Sequence, residues 1–113
     1  MEKKVAVIGY GSIGKEIIAS ARRQEIPNAK IVAVLDNRPQ VVNSIDNQYP
    51  DIQLFSEFDK FYNSQTYSVL DVIIECASKD AVREYGKKII ESRKDMIVLS
   101  VGAFSDIEYL SEL

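Results

Sequence analysis

The stretch VAVIGYGSIGKEI, Val5 to Ile17, constrains this chain more than any other: an apolar run, three glycines spaced Gly9-x-Gly11-x-x-Gly14, then the start of a helical pattern. A continuous run such as Val5 to Ile8 suits a strand covered on both faces in a parallel sheet. Each glycine then has its own duty: Gly9 makes the tight turn, Gly11 lets backbone approach a pyrophosphate, and Gly14 lets the helix pack close to the strand. The helix N-terminus beside the loop presents unpaired N–H groups and the positive end of the macrodipole, which together attract an anion. The spacing alone is a weak signal, and a structural glycine turn is the alternative reading. Its context decides for dinucleotide binding, because the next apolar run, IVAVLD, ends in an acid. That acid, Asp36, follows Gly14 by 22 positions, close to the roughly 20 expected of a ribose-binding carboxylate. Gly9, Gly11, Ser12, Ile13 and Gly14 are thus the candidate phosphate loop, and Asp36 and Asn37 the candidate ribose turn.

Strand and helix patterns alternate along the rest of the chain. A strand is expected over Lys4 to Gly9 and a helix from Ser12 to about Gln24, with Ile13, Ile17 and Ala21 at four-residue spacing and Ile18 alongside. Arg22 and Arg23 suit the negative end of that helix and read as a solvated terminus. The second strand is Lys30 to Asp36. Pro39 opens a short helix bearing Val41, Val42 and Ile45, and Ile52 to Phe55 forms a third strand. Ser56 and Asp59 resemble a capping box, followed by Phe58, Phe61 and Tyr62, an aromatic group that reads as core. Val69 to Cys76 is the fourth strand. Ser78 caps a helix with Ala81, Tyr85 and Ile89 as its apolar stripe and Gly86 inside it. Met96 to Val101 is the fifth strand, Gly102 a turn, and Ser105 or Asp106 the start of a last helix. Five strands joined by helices imply an α/β, Rossmann-like, doubly wound parallel sheet of order 3-2-1-4-5. Ligands bind at the carboxyl ends of such strands, so the glycine loop, the Asp36 turn, Cys76 to Ser78 and Ser100 to Ala103 are expected to converge.

At 113 residues the chain suits one domain, without repeats or linkers. Its net charge of −3 gives no reason to expect nucleic acid or an anionic membrane surface. No apolar run is long enough to span a bilayer and no signal-peptide pattern opens the chain, which points to the cytoplasm. One cysteine and no histidine exclude an internal disulfide and a Cys/His metal site, and remove the commonest acid-base group. No metal site and no catalytic residue is assigned.

The segments IIECASKDAVREYGKKIIESRKDMIVLSVGAFSD and VAVIGYGSIGKEI, with the Asp36 turn, resemble the L-aspartate dehydrogenase family, whose nucleotide-binding domain is similar to that of homoserine dehydrogenases. The resemblance covers nearly the whole chain but only the N-terminal half of such an enzyme. It implies a nicotinamide-dependent oxidoreductase that takes a hydride from the α-carbon of L-aspartate, giving iminoaspartate and then oxaloacetate and ammonia. It also implies that Cys76, Ala77 and Ser78 border the dinucleotide, and that Ala103, next to Gly102, lies beside its nicotinamide half. The family's catalytic histidine and substrate-binding residues belong to a second domain beyond Leu113, so residues 1–113 read as a dinucleotide-binding domain whose amino-acid substrate is held elsewhere. A non-catalytic NAD(H)- or adenine-nucleotide-sensing module and a homoserine dehydrogenase-like cofactor domain remain alternatives.

Asp36 favours NAD, because its carboxylate would repel a 2′-phosphate; Arg38, two positions on, is placed to reach such a phosphate and keeps NADP open. Cys76, with no histidine and with Glu75 adjacent, reads as a wall of the groove rather than a nucleophile. Tyr10 lies inside the loop, where ligand contact and no contact are equally open. Glu75, Asp71 and Asp106 offer carboxylates, with no sign that any two meet.

Overall fold

A computed structural model of the chain describes residues 2–77 and 79–99. Strand β1, Lys3–Ile8, sends Val5 and Val7 to one face and Ala6 and Ile8 to the other, and a separate core has formed on each. Such two-sided burial needs helices above and below the sheet. On the first face, Ile18 of α1 (Ser12–Arg22) and Ile45 of α2 (Pro39–Gln48) pack with Val5, Val7, Ile31 and Val34. On the second, Phe58 and Phe61 of α3 (Phe58–Tyr62), Tyr67 of α4 (Gln65–Ser68) and Ile89 of α5 (Lys79–Glu91) pack with Ala6, Ile8 and Ile73. The remaining strands are β2 (Ala29–Leu35), β3 (Gln53–Phe55), β4 (Val72–Glu75) and β5 (Asp95–Val98).

All pairings are parallel and the order is β3-β2-β1-β4-β5, the doubly wound arrangement expected from the alternation of patterns. β1 pairs Val5 with Ile31 but Ala6 with Ala33. Val32 is therefore the extra residue of a bulge, and both Val32 and Ala33 pack toward the α5 side. Pro39 opens α2 in the first turn, as expected. The aromatic residues are core: Phe61 is fully buried, in edge contact with Tyr67 at 5.1 Å between ring centroids.

Several local expectations are corrected. In α1, Ile18 is buried and Ile17 and Ala21 pack against the same core, as expected, but Ile13 is 48 % exposed and buried Gly14 stands on the core side. In α5, Ile89 is fully buried and Tyr85 packs against the same core, as expected, but Val82 and not Ala81 is the fully buried side chain of the first turns; Gly86 is also buried. Ser56 does not cap α3, whose N-cap is Glu57 without a side-chain hydrogen bond. The serine cap occurs instead at Ser64, whose Oγ accepts from Tyr67 N–H at 3.0 Å and starts α4. β4 begins at Val72 rather than Val69: Val69 follows α4 and is half exposed, while Lys94 Nζ donates to the carbonyls of Ser68 and Leu70. A continuous apolar run shows burial without showing where pairing begins. At the end of α1, Arg22 donates from one nitrogen to both carboxylate oxygens of Asp51 and lies over Tyr49, and Arg23 pairs with Glu16 and Glu25. These arginines are engaged rather than merely solvated. Among the described residues no helix is long and apolar enough to cross a membrane. The expected turn at Gly102 and last helix lie outside the described residues.

The two faces of α1 differ enough to be told apart in solution. Ile18→Ala is expected to destabilise the chain by about 2–5 kcal/mol, while Ile13→Ala stays within about 0.5 kcal/mol of wild type; urea denaturation of both variants measures the contrast.

Candidate functional site

The carboxyl ends of the central strands meet at the glycine loop. Gly9 N–H donates to Leu35 O at 2.8 Å, tying the end of β1 to β2. The φ of Gly9 is +97°, a conformation that disfavours side chains, and a Cβ there would lie 2.8 Å from the Ala77 backbone. At Gly14 a Cβ would lie 2.2 Å from Gly9 O, so α1 approaches the loop as only glycine allows. Gly11 differs from both. Its φ of −88° suits any residue and nothing stands within 4 Å of the position a Cβ would take. Gly11 is also the N-cap of α1, without a side-chain cap, and forms part of a cavity wall. A side chain at Gly11 would fill that space and not strain the fold, which is the arrangement a bound pyrophosphate requires. Ser12 and Ile13 are exposed in the first turn of α1.

Asp36 stands at the end of β2 with its side chain only 4 % exposed. Its Oδ2 accepts from Tyr10 N–H at 2.8 Å and from Arg38 Nη2 at 2.8 Å; its Oδ1 accepts from Arg38 N–H at 3.0 Å and Arg38 Nε at 2.9 Å. Burial alone would raise the carboxyl, but the hydrogen bonds from Arg38 and from the Tyr10 and Arg38 backbones outweigh it and hold the group below its ordinary value. Tyr10 therefore acts through its backbone. Its ring is buried in the α1 side of the core and is not part of the cavity wall.

Glu75, at the end of β4, is fully buried, and its Oε2 accepts from Ala77 N–H at 2.7 Å, so the carboxylate fixes the turn that touches Gly9. Cys76 N–H donates to Ile8 O at 2.8 Å. Burial first, and then the neighbouring Glu75, push the Cys76 thiol up to about 11, so it stays protonated near neutrality and is no nucleophile. Asp71 accepts from Lys4 N–H at the opposite end of the sheet; it and Glu75 do not meet. Among the described residues no cluster of three or more His, Cys, Asp or Glu is placed to hold a metal.

One cavity of about 490 Å³ gathers Gly9, Gly11, Asp36, Asn37, Cys76 and Ala77. Gly14 lies behind its wall against Gly9. Ser78, Gly102 and Ala103 lie outside the described residues. The cavity also has walls that the sequence reading did not assign: Ser56, just past β3, and Ala81, Glu84 and Tyr85 of α5. Tyr85 is held by stacking on Phe58, ring centroids 4.1 Å apart and planes 5° from parallel. The available signal was topological, since the end of β3 and the start of α5 border the same sheet edge.

Residues 9–113 match the family described as the homoserine dehydrogenase NAD-binding domain. The chain belongs to this family. As an NAD-binding domain it is 34 % identical over 109 residues to an L-aspartate dehydrogenase from Archaeoglobus fulgidus, covering 96 % of the chain and 39 % of that relative. An L-aspartate dehydrogenase from Nitrosopumilus maritimus is 28 % identical over 104 residues, covering 92 % of the chain and 37 % of that protein. The chain thus spans about two fifths of the length of these relatives. Among solved structures, a myo-inositol dehydrogenase from Lactobacillus casei, in complex with NAD(H) and myo-inositol, superposes with a TM-score of 0.71 at 18 % identity, over 87 % of this chain and 28 % of that one. An oxidoreductase from Agrobacterium radiobacter, in complex with NAD+, L-tartaric acid and magnesium, gives 0.72 at 16 % identity, over 87 % and 27 %. At such identities the likeness is one of fold.

Two consequences of this NAD-binding domain's geometry are measurable. Gly14→Ala forces a methyl group into Gly9 O and is expected to cost about 3 kcal/mol or more, read by urea denaturation. Cys76 is expected to react with a thiol reagent at pH 7 to 8 far more slowly than a free cysteine of pKa about 8.5, with the rate still rising above pH 10; a rate that levels off near pH 9 would contradict the burial of the thiol.

Proposed function

We propose that this domain holds the nicotinamide cofactor of an L-aspartate dehydrogenase-like enzyme whose substrate-binding and catalytic groups lie outside residues 1–113. The observation that carries the reading is the meeting, in one cavity, of a glycine with open space at its Cβ position, a buried carboxylate at the end of β2, and the turn after β4. In this reading the Gly9 to Gly14 loop and the first N–H groups of α1, with Ser12 and Ile13 at its entrance, hold the pyrophosphate. Asp36 receives the adenosine ribose, with Asn37 beside it. The base lies toward Ser56, Ala81 and Tyr85, and Cys76 and Ala77 form the wall along which the dinucleotide passes to its nicotinamide end. As the family resemblance implies, Ser78 also borders the dinucleotide, and Ala103, next to Gly102, lies beside its nicotinamide half.

The nicotinamide, when bound, accepts a hydride from the substrate's α-carbon. The part played by this domain is positioning. Its loop and turns fix the cofactor so that a reacting carbon faces a substrate brought by other residues, and the protonated Cys76 adds an uncharged wall. The substrate assignment follows the aspartate dehydrogenases to which the chain is similar. The loop and Asp36 serve aspartate or homoserine oxidation alike.

Fluorescence titration with NADH and NADPH tests the reading. Saturable NADH binding is expected, weakened about tenfold or more by Asp36→Ala, as loss of charge-assisted hydrogen bonds implies, and weakened less for NADPH. Gly11→Ala should fold with wild-type stability and lose NADH affinity. Robust aspartate oxidation by the 113-residue chain would refute the claim that other residues supply the chemistry, and unchanged NADH affinity in Asp36→Ala would refute the ribose assignment.

A further inference from the structure

The carboxylate assigned above to the ribose has no acceptor position to spare. An ionised carboxyl offers about four lone-pair sites, and four N–H donors meet Asp36 at 2.8 to 3.0 Å. Two of these donors are backbone groups. Tyr10 N–H belongs to the glycine loop, and Arg38 N–H to the N-cap of α2, whose carbonyl accepts from Val41 and Val42 N–H. Neither can leave without displacing the loop or the helix. The other two, Nε and Nη2 of Arg38, sit on a side chain that is 50 % exposed and lines the same cavity. Only they can withdraw by rotamer change.

We propose that Arg38 is a latch on the ribose site and sets cofactor choice with opposite sign for NAD and NADP. Closed, its guanidinium occupies the Asp36 oxygens that the 2′- and 3′-hydroxyls need. The two hydroxyls of the adenosine ribose of NAD are the same in number as the two side-chain donors that must withdraw, so NAD binding exchanges one pair of hydrogen bonds for another and returns the guanidinium to water. That exchange subtracts from NAD affinity. A 2′-phosphate takes the released guanidinium as its own partner, in the two-pronged geometry arginine offers phosphates. Arg38 thereby costs NAD and compensates NADP. The inference rests on the ribose assignment to Asp36.

The opposing signs separate a latch from a simple cation at the rim. Removing a cation that merely attracts anions weakens both dinucleotides, since both carry a pyrophosphate. Removing a latch strengthens one and weakens the other. NADH and NADPH titrations of the 113-residue chain, Arg38→Ala and Arg38→Lys provide the test, with far-UV circular dichroism and urea denaturation to establish that each variant is folded. Arg38→Ala is expected to bind NADH about three- to tenfold more tightly and NADPH about tenfold more weakly, the range that follows from one to two charge-assisted hydrogen bonds at a partly exposed pair. Arg38→Lys, which keeps the charge without the fork, is expected to gain NADH affinity as well while losing less for NADPH; it carries the test if the alanine variant does not fold. Unchanged or weakened NADH binding in the folded variants, with wild type binding normally, overturns the latch and leaves the cofactor reading standing. Absence of saturable binding of either dinucleotide by wild type and all variants overturns the cofactor reading and the latch together.

Discussion

Where α1 meets β1, two glycines touch with no space for a methyl group: the Cβ position of Gly14 lies 2.2 Å from Gly9 O and that of Gly9 lies 2.8 Å from the Ala77 backbone. This packing sets the N-terminus of α1 directly over the carboxyl edge of the sheet. It brings the turn after β4 against the turn after β1, and it leaves Gly11 as the place where the chain borders open space. The helix dipole and its uncapped N–H groups are directed at the cavity because the backbones can come this close.

Two buried carboxylates then hold the edges of the site. Asp36 ends β2 and ties the glycine loop to the start of α2, while Glu75 ends β4 and ties the following turn. They flank β1 on its two neighbouring strands. A buried carboxylate is costly unless hydrogen bonds satisfy it. Here both accept backbone N–H groups of turns, so the same bonds that satisfy the acids give the turns a fixed shape. Asp36 also receives the Arg38 guanidinium, carried on a half-exposed side chain that lines the cavity.

The strand order, the glycine loop, Asp36 and the cysteine wall were legible from residues because each rests on a local pattern. β1 and β2 are continuous apolar runs of strand length, Pro39 begins a helix where it is tolerated, and the interval from Gly14 to Asp36 is the length of one helix and one strand. The helix faces were legible in part: Ile17, Ile18, Ala21 and Ile45 pack into the core as expected, and Ile13 does not. In α1 the close approach at Gly14 turns Ile18 fully into the core and leaves Ile13, one position earlier, in solvent. Ser56, with Asp59 three residues on, carries the capping signal that the sequence offers, and the side-chain cap occurs instead at Ser64. α3 begins at Phe58, so Glu57 and not Ser56 stands at its N-cap, while Ser64 caps the separate helix α4. Tyr10 was equally open to ligand contact and to none; its ring is buried in the core while its N–H serves Asp36.

What the sequence by itself determined is therefore the order of elements, the doubly wound sheet, and the kinds of residue at the carboxyl edge of its central strands, because periodicity, glycine spacing and chain connectivity act over short separations. Only the tertiary structure decided that Tyr85 and Ser56 complete the cavity wall and that Arg38 occupies Asp36. These depend on distances between segments far apart in the chain, and on competition among donors for one carboxylate. Such a competition has no counterpart in local pattern; it is settled when folding brings the donors within reach.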